Sequence, residues 1–166
     1  MGDRRRIAAF LNALPPDAAR AALTRCCGSR RWVEAMLAAR PFPNDAALRD
    51  TADRAWWALD RRAWLEAFAH HPRIGEPGRG DAWARGEQAG ADAVEAAVRR
   101  ELAAGNLAYE RRFGYVFLIR ATGRGGAELL AELRRRLGND PAEELRTAAG
   151  EQAQITWLRL EKLVTP

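Results

Sequence analysis

The sequence is poor in the residues that most enzymes use for covalent chemistry. Ser29 is its only serine and Lys162 its only lysine. Ser29 has no nucleophile-elbow glycines around it, which excludes a serine hydrolase. Lys162 lies close to the C-terminus, a poor place for a Schiff-base or pyridoxal lysine. The two cysteines, Cys26 and Cys27, are adjacent. A bridge between neighbours would strain the peptide joining them, so no disulfide is expected. With His70 and His71 they make two adjacent pairs, poor chelators beside CxxC or HxxxH spacing, and no metal site is expected. Two small buried thiols near a helix end are the simpler reading. Phosphate-binding loops are missing too, since Gly123-Arg124-Gly125-Gly126 fits neither a dinucleotide fold nor a P-loop. Internal repeats and low-complexity linkers are lacking.

No apolar run approaches the length of a bilayer span. The start, Met1-Gly2-Asp3-Arg4-Arg5-Arg6, is too polar for a secretory signal, and Arg6 stands where a myristoylation signal wants Ser or Thr. The expected location is the cytoplasm, with no membrane partner. What remains is a chain of 166 residues, 48% hydrophobic and 30% charged, enough for one domain over 1–166 with a real core. A net charge of +5 and a pI near 10.2 raise the possibility of nucleic-acid binding. Acids are interleaved with the arginines almost everywhere, and no zinc-finger, basic-zipper or RNP signature is present. A solvated arginine-rich surface, without nucleic acid, is expected.

Hydrophobic spacing is helical nearly throughout. Ile7, Phe10 and Leu11 predict a helix over 5–13, stopped by Pro15-Pro16. Asp17 opens a second, ending at Cys26-Cys27-Gly28, with Gly28 suited to a left-handed closing position. Ser29 caps a third carrying Trp32, Val33, Met36 and Leu37, and Asn44 a fourth with Leu48, Ala52 and Trp56. Asp60 begins a fifth with Trp64, Leu65 and Phe68. That helix meets His71-Pro72, where proline disfavours helical geometry for His71. Gly75, Pro77, Gly78 and Gly80 make a flexible link, followed by a short helix around 83–88 and a longer one from Asp92 to about Tyr109. The apolar run Phe113–Ile119 reads as buried, helical or extended, with no partner strand for a sheet. Leu129, Leu130, Leu133 and Leu137 mark the next helix. The last opens with Asp140, Pro141 and Glu143 and runs through Leu145, Ala149, Gln152, Ile155 and Leu158. The fold class expected is all-α, a single compact multi-helix domain.

These exclusions leave cofactor-free acid/base chemistry as the enzymatic option. His71 is the first candidate because imidazole titrates near neutrality; the alternative is a histidine capping helix-end carbonyls. Glu87 is a second acid or a surface one. Arg159 follows Leu158 on the last helix, and buried there it would need an anion from the protein or a substrate.

Taken in order, His71-Pro72-Arg73-Ile74-Gly75, Glu87-Gln88, Asn106, Tyr109, the 113–119 run, Gly123-Arg124 and Ile155…Leu158-Arg159-Leu160 resemble the 2-oxo-4-hydroxy-4-carboxy-5-ureidoimidazoline (OHCU) decarboxylase family. Cys26-Cys27-Gly28-Ser29-Arg30-Arg31-Trp32 and Arg40-Pro41-Phe42 are similar to its bacterial members. The resemblance implies an all-α, dimeric, cofactor-independent enzyme of urate breakdown that decarboxylates the small molecule OHCU to (S)-allantoin. It implies that His71 is the catalytic histidine, His70 being the neighbour that is not, with Glu87 beside it in catalysis. Pro72, Ala84, Arg85, Gly86, Glu87 and Gln88 would contact substrate. Phe117, Leu118, Ile119, Arg120 and Ala121 would line the pocket by their backbone, and Arg159 would stand near the site. One position departs: the family often has serine where this chain has Ala84, so a hydroxyl contact is absent there. The competing readings are a basic helical interaction or nucleic-acid-binding protein and an inactive relative of the same fold.

Overall fold

The computed structural model describes residues 6–74 and 96–165. Among them helices alone form the regular structure: α1 (Ile7–Ala13), α2 (Pro16–Cys26), α3 (Arg30–Ala38), α4 (Asp45–Trp57), α5 (Arg61–Phe68), α6 (Ala96–Phe113), α7 (Gly126–Leu137) and α8 (Pro141–Lys162). The all-α class read from periodicity is the one observed. The short helix expected around 83–88 and the start expected at Asp92 lie outside the described residues.

Most helix starts have a local cause. Pro16 occupies the first turn of α2, where its missing N–H costs no intrahelical bond. Ser29 Oγ accepts the Trp32 N–H at 3.4 Å, Asn44 Oδ1 that of Ala47 at 2.8 Å, and Asp60 Oδ1 that of Ala63 at 3.0 Å. Each satisfies a donor that the first turn leaves open. The end of α2 differs from expectation. Cys27 leaves the helix in an extended conformation, its N–H still bonded to the Leu23 carbonyl at 3.0 Å. The chain has therefore turned out before Gly28, and no left-handed glycine is used; among the described residues only Gly114 and Gly123 have positive φ.

The chain clusters into two compact units, 1–67 with 153–166, and 68–152. In the first, α3 packs against α2 and α4. Trp32, Trp56 and Trp64 are buried there. Two of these indoles keep a hydrogen bond while buried: Trp32 Nε1–H donates to the Ala52 carbonyl at 3.1 Å and Trp64 Nε1–H to that of Trp56 at 3.0 Å.

In the second unit α6 and α7 lie against each other, and Gly105 is the point of closest approach. A Cβ there would stand 2.5 Å from Leu133 Cδ2. Helix α6 continues past Tyr109 to Phe113 and stops at Gly114, whose φ of 84° few other residues adopt; its N–H reaches the Glu110 carbonyl at 2.8 Å. Residues 115–121 then run without helix or ladder, and Tyr115, Phe117, Leu118, Ile119 and Ala121 are buried. Beyond Phe113, its last helical residue, the run is neither helical nor paired in a sheet. Phe68, Tyr109, Phe113, Tyr115 and Phe117 pack ring on ring around it, with centroids 4.7 to 6.3 Å apart.

Candidate active site

Helix α5 ends at Phe68, and the His71 N–H closes a turn on the Phe68 carbonyl at 3.1 Å. The half-buried His71 ring is thereby carried off the helix. Its Nε2 lies 2.5 Å from Oε1 of Gln152, 81 residues further on. Gln152 is completely buried on α8. Pro72 follows, half-buried, and the next two residues are pinned to α6. Arg73 makes a two-pronged ion pair with Glu110, Nε to Oε1 at 2.8 Å and Nη2 to Oε2 at 3.0 Å. Asn106 Nδ2 donates to the Ile74 carbonyl at 2.9 Å. A bidentate guanidinium–carboxylate pair fixes direction as well as distance, so 71–74 is a held segment.

A buried backbone that is neither helical nor in a sheet must find partners for its polar groups elsewhere. For 117–121 they come from side chains of α7 and α8. Arg136 Nη1 donates to the Leu118 carbonyl at 2.9 Å, and the Arg120 N–H donates to Glu151 Oε2 at 2.9 Å. Glu151 and Gln152 are consecutive. The segment bearing His71 and the segment 117–121 are thus tied to neighbouring residues of one helix.

Arg136 is itself fully buried, and so is its partner Glu144. Nε of Arg136 donates to Glu144 Oε1 at 2.7 Å, and Nη2 lies 2.6 Å from the same oxygen. The Tyr109 hydroxyl donates to that oxygen at 2.6 Å, and Asn139 Nδ2 to Oε2 at 2.9 Å. The guanidinium carbon also stands 4.6 Å from the Phe117 ring centroid. Burial and the adjacent carboxylate push the Tyr109 phenol far above its ordinary range, so it stays a neutral donor. Taking two charges out of water is costly, and direct pairing with further hydrogen bonds to both partners, as here, offsets it.

Arg159 is 6% exposed, as the inward reading of α8 required, and its Nη1 lies 3.4 Å from the Arg25 carbonyl. It belongs to the first unit, together with Cys27. Burial raises the Cys27 thiol to about 11, against the lowering effects of the Ser29 backbone, the Thr156 hydroxyl and the Arg159 charge. A thiol so placed is an unreactive core group. Cys26 is buried as well, and neither cysteine is in a disulfide. Among the described residues no group of three or more His, Cys, Asp or Glu side chains could hold a metal ion. Among the same residues no helix is long and apolar enough to cross a membrane.

Of the residues singled out from the sequence, His71 and Pro72 fall in one held segment and Phe117, Leu118, Ile119, Arg120 and Ala121 in another of the same unit. Ala84, Arg85, Gly86, Glu87 and Gln88 lie outside the described residues. Sequence reasoning missed Arg136, Glu144 and Glu151, and gave Gln152 no role beyond its helix. Arg136 had a signal: it continues the apolar stripe of Leu129 and Leu133, where a charge needs a buried partner. Glu144, by contrast, sits one position before the stripe expected on α8.

An all-α chain with a histidine held against a buried amide has the makings of an acid/base enzyme. The OHCU decarboxylase family model matches residues 12–161. The uric acid degradation bifunctional protein TTL of Arabidopsis thaliana is 39% identical over 145 residues, 83% of this chain and 45% of that protein. The 2-oxo-4-hydroxy-4-carboxy-5-ureidoimidazoline decarboxylase of Amia calva is 40% identical over 85 residues, 48% of this chain and 47% of that protein. The chain therefore spans about half the length of these relatives. A crystal structure of an OHCU decarboxylase in the presence of (S)-allantoin superposes with a TM-score of 0.76 at 36% identity, covering 86% of this chain and 96% of that one. The chain belongs to the OHCU decarboxylase family.

Proposed function

We propose that this protein decarboxylates OHCU to (S)-allantoin in urate degradation, by acid/base catalysis from its own side chains. The observation that carries this reading is the likeness, over 86% of this chain and 96% of the other, to an OHCU decarboxylase structure determined in the presence of (S)-allantoin. The substrate bears a carboxylate and a hydroxyl on one ring carbon, next to an imine carbon. When the C–C bond breaks, CO2 leaves and the bonding pair forms a C=C bond. The imine pair moves onto nitrogen, which takes a proton. The enol hydroxyl then gives up its proton while the neighbouring carbon takes one, on a single face.

His71 is the group we assign to the hydroxyl and carboxylate region, as general acid and base. Glu87 would hold the hydroxyl or ureido N–H groups. Gln88, residues 84–86 and the backbone of 117–121 would fix the ring, with Pro72 and Arg159 as further contacts. The fastening of 117–121 by Arg136 and Glu151 supports this division, since backbone groups can position a ligand only if they are themselves held. We extend the reading to one decarboxylase domain over 1–166 that works as a cytoplasmic homodimer on this small molecule, without cofactor, membrane or nucleic acid. Ion pairing of surface arginines speaks against a phosphate-binding face: Arg31 with Asp60 at 3.0 Å, Arg134 with Glu101 at 3.2 Å and Arg135 with Glu132 at 2.8 Å. A positioned proton-transfer group contributes roughly 10²–10⁴ in rate. The test is His71→Ala: CO2 release from OHCU should fall by a factor in that range, towards the spontaneous rate, with the helical signal unchanged. A variant as fast as wild type would refute the assignment.

A further inference from the structure

The contact between His71 and Gln152 specifies more than proximity. A neutral imidazole carries one proton and one lone pair, on different nitrogens, and which is which decides what the ring can do. Here the Gln152 amide oxygen, an acceptor, faces Nε2 at 2.5 Å. An acceptor opposite Nε2 requires the proton to sit there, and the lone pair is then on Nδ1. Gln152 is fully buried in the middle of α8, while His71 is half-buried on a segment fastened to α6 through Arg73–Glu110 and Asn106–Ile74. The amide is therefore the fixed partner and the ring the one that is oriented. An amide does this without charge. A carboxylate in its place would favour the imidazolium, whereas a neutral acceptor adds no such charge preference.

We propose that Gln152 is a positioning residue that holds His71 as the Nε2–H tautomer, leaving Nδ1 as the atom that exchanges protons with the substrate. Its catalytic meaning rests on the function proposed above; the tautomer itself does not. The full chain contains only two histidines, so ¹⁵N-histidine labelling gives two ring spin systems, and His70→Gln assigns them. At about pH 8.5, above the ordinary imidazole range, long-range ¹H–¹⁵N correlations of wild type should show His71 in the Nε2–H pattern. Gln152→Glu, which keeps an acceptor oxygen, should keep the proton on Nε2, as the Nε2–H tautomer or as the imidazolium that a carboxylate favours. Gln152→Met, close in shape but without that acceptor, should give averaged shifts of a tautomer mixture, with His70 and the helical signal unchanged. Turnover by Gln152→Met should fall by about tenfold or more in kcat with little change in KM, since proton transfer and not binding is impaired. An Nδ1–H pattern in wild type, or a Gln152→Met spectrum identical to wild type, would overturn the inference. Wild-type protein with the Nε2–H pattern but no activity on OHCU would refute the proposed function and still support the positioning role.

Discussion

The Arg136–Glu144 pair offers the sharpest energetic test of how the 117–121 segment is held. Arg136→Met removes the charge and the donor to the Leu118 carbonyl while keeping most of the aliphatic stem. It strands the Glu144 carboxylate in a site with no exposure, partnered only by the neutral Tyr109 hydroxyl and Asn139 amide. Breaking a buried pair from one side costs about 3–5 kcal/mol. The Leu118 carbonyl left without its donor accounts for about 1–3 kcal/mol of such a loss. Glu144→Gln leaves a buried guanidinium instead, at a similar cost of about 3–5 kcal/mol. The double variant carries neither charge, so its destabilisation should fall short of the sum of the singles by about 2–3 kcal/mol. Against a total stability of about 5–15 kcal/mol, each single variant should still fold in the absence of denaturant at low temperature. Urea titrations of the four proteins, followed by helical circular dichroism, give the cycle directly. Singles that each cost less than about 1 kcal/mol, or a double variant that is strictly additive, would show that the pair does not hold the segment.

Three further outcomes are expected. Cys27 has a folded pKa near 11 against an ordinary value of 9.0. Its contribution should therefore be fully present below about pH 9 and lost as pH rises towards 11, by about 3 kcal/mol in all. Cys27→Ala should flatten the wild-type stability profile over that window in urea titrations; identical slopes would contradict it. Both cysteines, buried at 0% and 1% exposure, should resist an aromatic disulfide reagent until the protein unfolds, which absorbance of the released thiolate would report. Gly105→Ala and Gly150→Ala should move stability in opposite directions. The first places a methyl 2.5 Å from Leu133, and overpacking of about 1–3 kcal/mol offsets its helix preference; the second meets nothing within 4 Å and should gain about 1 kcal/mol, read as shifts in Tm.

Local chemistry was the part of the fold legible in the sequence. Ser29, Asn44, Asp60 and Asp140 announce helix starts because a cap bonds only a few residues ahead. Apolar spacing located every described helix for the same reason. The 113–119 run gave no period, and a buried segment without partner strands has none to give. Its course without helix or ladder depends on Arg136 and Glu151, which lie well along the chain, and on the positive φ of Gly114. On α8 the expected stripe holds at Ala149, Gln152 and Ile155, whereas Leu145 and Leu158 are only half-buried and Glu144, Ala148, Arg159 and Leu160 take the inward places beside them. Polar residues held by buried partners can occupy an inward face that a hydrophobic reading assigns elsewhere. The same limit hid the His71–Gln152 contact. His71 stood out by chemistry and position, but a glutamine in a helix looks the same whether it meets solvent or an imidazole 81 residues away.

The most direct measurement of the central claim is the handedness of the product. Fresh OHCU, generated by oxidising urate, would be mixed with the purified full chain, and circular dichroism would be followed as allantoin forms. Wild type should give an optically active signal of the (S) enantiomer at a rate proportional to protein concentration, and His71→Ala only the slow racemic background. Racemic allantoin formed at the spontaneous rate in the presence of folded wild-type protein would contradict the account.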